Sequence, residues 1–371
     1  MVNNLEDINK FINDFSFKKI FILCGKKSFI ASGADQFIEK IIKKKECKFF
    51  YKKSESPKLE ELIEIIKEIR NFKPDLILAV GGGAVIDYAK MSNVIDIRSD
   101  LAELIVNYSY PFKEKYTKLA VIPTTAGSGA EVTSNAVIYV DGIKHSFESE
   151  LLIPDYFFLI PEFLMSASNK IKASAGFDAI AQALESLVAK KSDDKSVNYA
   201  SKSLKISINS YVSFLTTPNL KNATEMSVAA NLAGKAISIS KTTVPHATSY
   251  PFTSLFGISH GHAVSLFFEK FFKFNYLNLN KSDTTFDLKK RFDLIFNLFD
   301  VSNIDQFNSK ITLLKQQAKL EDDLEKLNIN IQKSSDNIIR GINLLRLGNN
   351  PVSMNGKDIY KIIVQKKLKK I

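Results

Sequence analysis

Three of the four histidines in the chain, His246, His260 and His262, fall within 17 residues; the fourth is His145. Upstream, Asp178 and Gln182 stand four residues apart in GFDAIAQALE. A helix there would put both on one face. Their neighbours Ala179, Ile180, Ala183 and Leu184 are apolar. Two polar groups on such a helix need partners if it is buried. A divalent cation shared with His246 and His260 would supply them. An Asp–Gln–His hydrogen-bond network without metal would do so equally well, and spacing alone does not choose.

A second chemistry is written in glycine. Gly81-Gly82-Gly83 follows an apolar run, Asp75–Val80, and precedes a helical pattern, Ala84–Val94. Glycines let a backbone approach a pyrophosphate closely, and a helix N-terminus offers unpaired N–H groups to it. The turn is neither GxGxxG nor a Walker A sequence, and a tight strand-to-helix corner is its plain structural reading. Asp87, placed in the first helical turn, reads either as a carboxylate favoured by the helix dipole or as an acceptor for the nicotinamide end of a dinucleotide. PTTAGSGAEVT at 123–133 also follows a strand pattern, Leu119–Ile122. Small residues and hydroxyls at strand ends suit a ligand crevice in an open sheet.

The elements that must carry these groups alternate in the first half of the chain. Lys19–Cys24 and Lys48–Tyr51 read as strands, and Ala34–Lys43 as a helix. A further helix is expected from Pro57, with Ser56 as its cap, to Pro74. The β-α-β-α-β order predicts a parallel sheet covered by helices. From Ser174 helical periods dominate, and no glycine occurs from 177 to 233. The expected division is an α/β nucleotide-binding domain at 1–163 and an all-α metal-binding domain at 164–371. Lys190–Lys195 (KKSDDK) is expected as a solvated helix–helix turn.

The 371 residues fit two domains and are 45% hydrophobic, which excludes disorder as the main state. The net charge is +11, yet only five of the 51 basic residues are Arg. Lysines scattered over helix surfaces suit compositional bias or anionic small molecules better than nucleic acid, which favours Arg forks and basic stripes. Two cysteines, Cys24 and Cys47, form no CxxC. With no signal-peptide pattern and no run of 18 apolar residues, the expected location is the cytoplasm, without membrane association.

Taken together, GGGAVIDYAK (81–90), PTTAGSGAEVTSNAVI (123–138), AGFDAIAQALES (175–186), PHATSYPFTSLFGISHGHAV (245–264) and NNPV (349–352) resemble the iron-containing alcohol dehydrogenase family, within the dehydroquinate synthase-like superfamily. The resemblance implies a Rossmann-like nucleotide domain, a helical domain, and a metal and nicotinamide in the cleft between them, in a homodimer. It implies Asp178, His246 and His260 as metal ligands, with Gln182 where most members have His. The metal would be Fe2+ or another divalent ion such as Zn2+. An amide oxygen is a harder and weaker donor than imidazole. Tyr250 stands where many members carry an active-site His. The cofactor contacts carry over to Gly82, Gly83, Asp87, Thr124, Thr125, Ser128, Thr133 and Lys144. Gly25 replaces a frequent Asp that repels a 2′-phosphate, and Lys26 and Lys27 follow it. NADPH is therefore expected to serve as well as NADH.

One branch looks closest, the phosphonoacetaldehyde reductases, which form 2-hydroxyethylphosphonate in phosphonate biosynthesis. That resemblance rests on Gln182, on TTVPHATSYPFTSLFGISHGHAV and on VDGIKHSFESELLIPDYFF at 140–158. The implied reaction is metal-assisted hydride transfer between NAD(P)H and an aldehyde. His262 could relay a proton or cap the following helix, and His145 is expected at the surface or the cofactor's edge. Lys241, Thr242, Thr243 and Ser249 are candidate phosphonate donors by sequence proximity. The rival readings are a general small alcohol dehydrogenase of the same family, a dehydroquinate synthase-like lyase, and a protein that has lost its metal.

Overall fold

The structure is a computed structural model that describes residues 2–15 and 17–364. By contacts the chain forms two compact units. Unit 1 holds Met1–Ser168 with Pro218–Gly234; unit 2 holds Asn169–Thr217 with Lys235–Ile371.

Unit 1 runs α1 (Leu5–Asp14), β1 (Lys19–Gly25), α2 (Lys26–Ala31), α3 (Ala34–Ile41), β2 (Glu46–Lys52), α4 (Leu59–Phe72), β3 (Leu76–Gly81), α5 (Gly83–Val94) and α6 (Leu101–Val106). It continues through β4 (Lys118–Pro123), β5 (Asn135–Val140), β6 (Ile143–Glu148), β7 (Tyr156–Phe157) and α7 (Glu162–Met165). The strands form a parallel sheet in the order β2-β1-β3-β4-β7. Side chains alternate across it: Phe21 and Leu23 face one apolar layer, while Ile20, Ile22 and Cys24 face the other. Both faces are covered, which is why these strands read as continuous apolar runs.

The order reverses at β1, whose neighbours are β2 and β3. Such a switch point leaves a crevice at the carboxyl ends of the strands. Gly25, Gly81 and Pro123 end the three adjacent strands there. The helix expected from Pro57 starts at Leu59; the Pro57 carbonyl instead accepts the N–H of Tyr139 at 2.7 Å. The sequence pattern passed over the β5–β6 hairpin, although Asp141 (φ 50°) and Gly142 (φ 77°) form its turn. Asp-Gly with both φ values positive is a type I′ signal.

Unit 2 is helical: α8 (Asn169–Val188), α9 (Asp194–Thr216), the last turns of α10 (Leu220–Ser240), α11 (Val244–Phe256), α12 (His260–Ser265) and α13 (Phe268–Leu277). Then follow α14 (Leu288–Phe299), α15 (Ile304–Gln317), α16 (Ile331–Arg340), α17 (Leu344–Gly348) and α18 (Gly356–Val364). The expected turn at 190–195 is present, closed by a capping box on Asp193.

The expected boundary at 163/164 puts all of α10 in the helical half. Its stretch to Gly234 instead packs in unit 1. The cause is a contact distant in sequence: Gly234 and Gly129 meet so closely that a Cβ on either would lie under 3 Å from the other's backbone. Asn231 also donates to buried Glu131 at 2.9 Å. Not every lysine is superficial, since Lys90, Lys172 and Lys315 are buried. No helix among the described residues is long and apolar enough to cross a membrane.

Candidate active site

In unit 2, α8 carries Asp178 and Gln182 on one face, α11 carries His246 in its first turn, and α12 begins at His260. Gly261 allows the last of these to reach the others. A Cβ there would lie 2.0 Å from the Ser174 carbonyl oxygen and 2.9 Å from Cβ of Asp178. Only a residue without a side chain lets α12 cross α8 at this separation.

Ligand atoms of Asp178, His246 and His260 all lie within 4.8 Å of one another. Asp178 Oδ1 is 3.1 Å from His246 Nε2 and 4.0 Å from His260 Nε2. The Gln182 amide nitrogen donates to Asp178 Oδ2 at 3.1 Å. Its Oε1 is buried without a hydrogen-bond partner. An orphaned acceptor oxygen on a side chain bonded to Asp178 fits a divalent cation at the Asp178, His246 and His260 cluster, because such an ion accepts N and O donors together. Asp178, Gln182 and His246 are buried, whereas the His260 side chain is 34% exposed, so the group is approached from the His260 side.

Behind His246 stands Glu185, fully buried, with Oε1 hydrogen-bonded to Nδ1 of the ring. Burial alone would lower the imidazole pKa; the charge of Glu185 and the bonds to Asp178 and Glu185 raise it to about 9. A cation binding here would compete with a proton for the ring. Sequence reasoning passed over Glu185. The signal was available: an acidic residue seven positions after Asp178 and three after Gln182, on the same face of an apolar helix.

His262 lies outside this group. Its Nε2 donates to the Glu321 carbonyl at 2.6 Å, and its N–H donates to Ser174 Oγ at 3.2 Å. The side chain fastens α12 to the segment after α15. Three candidate phosphonate donors are also committed elsewhere: Thr243 Oγ1 to Glu185, Ser249 Oγ to the His246 carbonyl, and Lys241 Nζ to the Ser238 carbonyl. Tyr250 is buried, its ring 6.5 Å from that of His260.

In unit 1 the strand ends bring Gly82 and Gly83 against Thr125 and Ser128. A Cβ on Gly82 would lie 3.3 Å from Thr125 Oγ1, and one on Gly83 would lie 3.1 Å from Ser128 Oγ. Gly82 caps α5 without a side chain, so the first N–H groups of that helix stay open to an anion. Thr124 is buried and donates its N–H to Gly81.

Asp87 lies one residue beyond the first turn of α5, not in it as expected, because the helix starts at Gly83. It is half-buried and accepts the Val137 N–H at 3.2 Å. Burial raises its pKa to about 6 against the charges of Lys90 and Lys144. Fully buried Lys90, its pKa lowered to about 8 by burial, donates to Thr133 O, Thr133 Oγ1 and Asn135 O at 2.8–3.0 Å. Asp87 and Lys90 thus tie α5 to β5, and Lys144 lies on β6 opposite Tyr139. His145, expected at the surface or the cofactor's edge, is 6% exposed; neither ring nitrogen has a hydrogen-bond partner, and the ring packs at 5.7 Å from that of Tyr108.

Residues 2–161 match the iron-containing alcohol dehydrogenase family, and residues 172–366 match the C-terminal part of the same family. The chain belongs to the iron-containing alcohol dehydrogenases. It is an oxidoreductase of alcohols and aldehydes, and a divalent metal and NAD(P) are the cofactors of its family. It is 29% identical over 293 residues to the 4-hydroxybutyrate dehydrogenase of Clostridium kluyveri, covering 76% of this chain and 78% of that one. Identity to the NADPH-dependent butanol dehydrogenase of Clostridium saccharobutylicum is 26% over 369 residues, 94% and 93% of the two chains. The sulfoacetaldehyde reductase of Bifidobacterium kashiwanohense, solved with NAD+, shares the fold at a TM-score of 0.87 and 23% identity, over 99% of this chain and 96% of that one. An iron-containing alcohol dehydrogenase of Thermotoga maritima does so at 0.82 and 23%, over 96% and 94%.

Proposed function

We propose that the protein reduces phosphonoacetaldehyde to 2-hydroxyethylphosphonate with NAD(P)H, using a divalent metal held by Asp178, Gln182, His246 and His260. The observation that carries the metal is the convergence of ligand atoms of Asp178, His246 and His260 within 4.8 Å, with a buried, unpartnered Oε1 on Gln182, whose amide nitrogen bonds Asp178. When bound, the ion supplies Lewis acidity to a carbonyl oxygen and the reduced nicotinamide supplies a hydride. Gly82, Gly83, Thr124, Thr125 and Ser128 would hold the pyrophosphate, with Asp87, Thr133 and Lys144 further along the nucleotide. The chain's own part is positional. Buried Asp178 and His246 fix one side of the site, while half-exposed His260 leaves the other accessible to an aldehyde. His262 serves as an anchor of α12 rather than a proton relay, since its Nε2 is spent on a backbone carbonyl.

The substrate assignment draws on the Gln182-containing segments that resemble phosphonoacetaldehyde reductases. The sulfoacetaldehyde reductase of the same fold is named for another two-carbon aldehyde bearing an anionic group. The assay compares phosphonoacetaldehyde with butanal and lactaldehyde on the metal-loaded enzyme. The expected outcome is a preference in kcat/KM on the order of 100-fold or more for the phosphonate. Equal rates would instead assign a general small-aldehyde reductase. Full activity in metal-free protein would remove the metal site itself.

A further inference from the structure

We propose that Glu185 is a positioning residue for the metal: it sets the tautomer of His246 and adds the second negative charge of the site. The proposal rests on the metal reading above. Glu185 shares a face of α8 with Asp178 and Gln182, and its two oxygens have separate duties. Oε2 accepts the backbone N–H of Thr243 at 2.6 Å and the Thr243 hydroxyl at 2.8 Å, which fixes the plane of the carboxylate. Oε1 faces Nδ1 of His246. An ionised carboxylate only accepts hydrogen bonds, so the ring carries its proton on Nδ1. In the neutral ring that leaves the lone pair on Nε2, the nitrogen lying 3.1 Å from Asp178 Oδ1.

Charge gives the arrangement a second purpose. Of the four ligand side chains only Asp178 is anionic, because Gln182 and two neutral imidazoles contribute none. Glu185 is fully buried, and through His246 it is a second carboxylate that can help balance a dication. A Glu185 that merely anchored the turn before α11 would need the Thr243 bonds and not the His246 bond.

The test titrates Co2+ into chelator-stripped full-length protein and follows its visible ligand-field absorption. Parent, Glu185→Gln and Thr243→Ala are compared, with thermal midpoints taken on the stripped samples. Gln keeps the volume and an acceptor for Thr243 but removes the charge. We expect Glu185→Gln to weaken Co2+ binding by about 10- to 100-fold. Its stripped midpoint should not fall to match. Thr243→Ala should weaken binding in the same direction by a smaller factor. Parental affinity in Glu185→Gln would overturn the proposal and leave the metal reading intact. If Glu185→Gln fails to fold, Thr243→Ala decides, and unchanged affinity there overturns it. A parent that binds no Co2+ refutes the metal reading, and the role of Glu185 falls with it.

Discussion

Gln182 combines two jobs in one amide. Its nitrogen holds Asp178 Oδ2 at 3.1 Å and so leaves Oδ1 to face the histidines, while Oε1 remains without a protein partner. Gln182→His restores a nitrogen donor but gives up that clamp. Because imidazole is the better donor for zinc, metal affinity should rise and selectivity should move toward Zn2+. Metal analysis after dialysis against equimolar Fe2+ and Zn2+ checks this. Gln182→Ala should weaken the metal, and His246→Ala or His260→Ala should abolish both metal and aldehyde reduction. Losing the ion removes the main stabilisation of negative charge on the carbonyl oxygen.

At the level of elements, the site depends on two close approaches. In unit 2, α12 crosses α8 where a Cβ on Gly261 would meet the Ser174 carbonyl at 2.0 Å. Gly261→Ala must push α12 away and carry His260 with it. The expected cost is about 1–3 kcal/mol of stability. Metal affinity should fall further than Gln182→Ala reduces it, as read by thermal melts and metal titration.

In unit 1, α5 is tied to β5 through Asp87 and Lys90, and the raised pKa of Asp87 has a definite sign. Between about pH 4 and pH 6 the folded protein keeps a proton that the unfolded chain has released. The contribution of this group to stability is therefore full below about pH 4 and is lost as pH rises through about 6. In melts from pH 4.5 to 7.5, the midpoint of Asp87→Asn should gain on that of the parent as pH rises. A constant difference would mean that Asp87 titrates as an ordinary carboxylate.

For the whole molecule, the candidate residues for the two chemistries fall in separate compact units, which makes their perturbation separable. The nucleotide candidates from Gly82 to Lys144 all lie in unit 1, and the ion candidates all lie in unit 2. Gly83→Val places its Cβ 3.1 Å from a rotatable Ser128 hydroxyl, so the fold should tolerate it while the approach of a pyrophosphate is blocked. The expected result is NAD(P)H binding weakened by orders of magnitude at unchanged metal affinity. Cofactor choice should respond at Gly25, the last residue of β1. The native enzyme should use NADPH at least as well as NADH, and Gly25→Asp should shift the ratio toward NADH. The new Cβ would lie 2.9 Å from the Ser28 hydroxyl, which can turn aside, and in ordinary contact with Lys52 and Val85. Outright rejection of NADPH by the native enzyme would dispose of the Gly25 argument.

Strand and helix order in the first half, the glycine turns, and the grouping of Asp178, Gln182, His246 and His260 were legible in the residues. The first two, and the shared face of Asp178 and Gln182, rest on short-range spacing: period 2 or continuous apolar runs in strands, i and i+4 in helices, and glycine where a backbone turns or is approached; the joining of His246 and His260 to that face was carried by the family resemblance. The Asp141-Gly142 hairpin and Glu185 were written in the same local terms but went unread. What spacing could not carry was long range. That Pro218–Gly234, most of it the first part of α10, belongs to unit 1 depends on Gly234 meeting Gly129 more than 100 residues away. That His145 is buried without a partner, that His262 faces the Glu321 carbonyl, and that Thr243 serves Glu185 are decided by which surfaces pack together. A side chain's hydrogen-bonding partner is a property of three-dimensional neighbours. The sequence by itself determined which donors and acceptors exist and on which faces they lie; only the tertiary structure decided which of them are already spent and which, like Oε1 of Gln182, are left for a ligand.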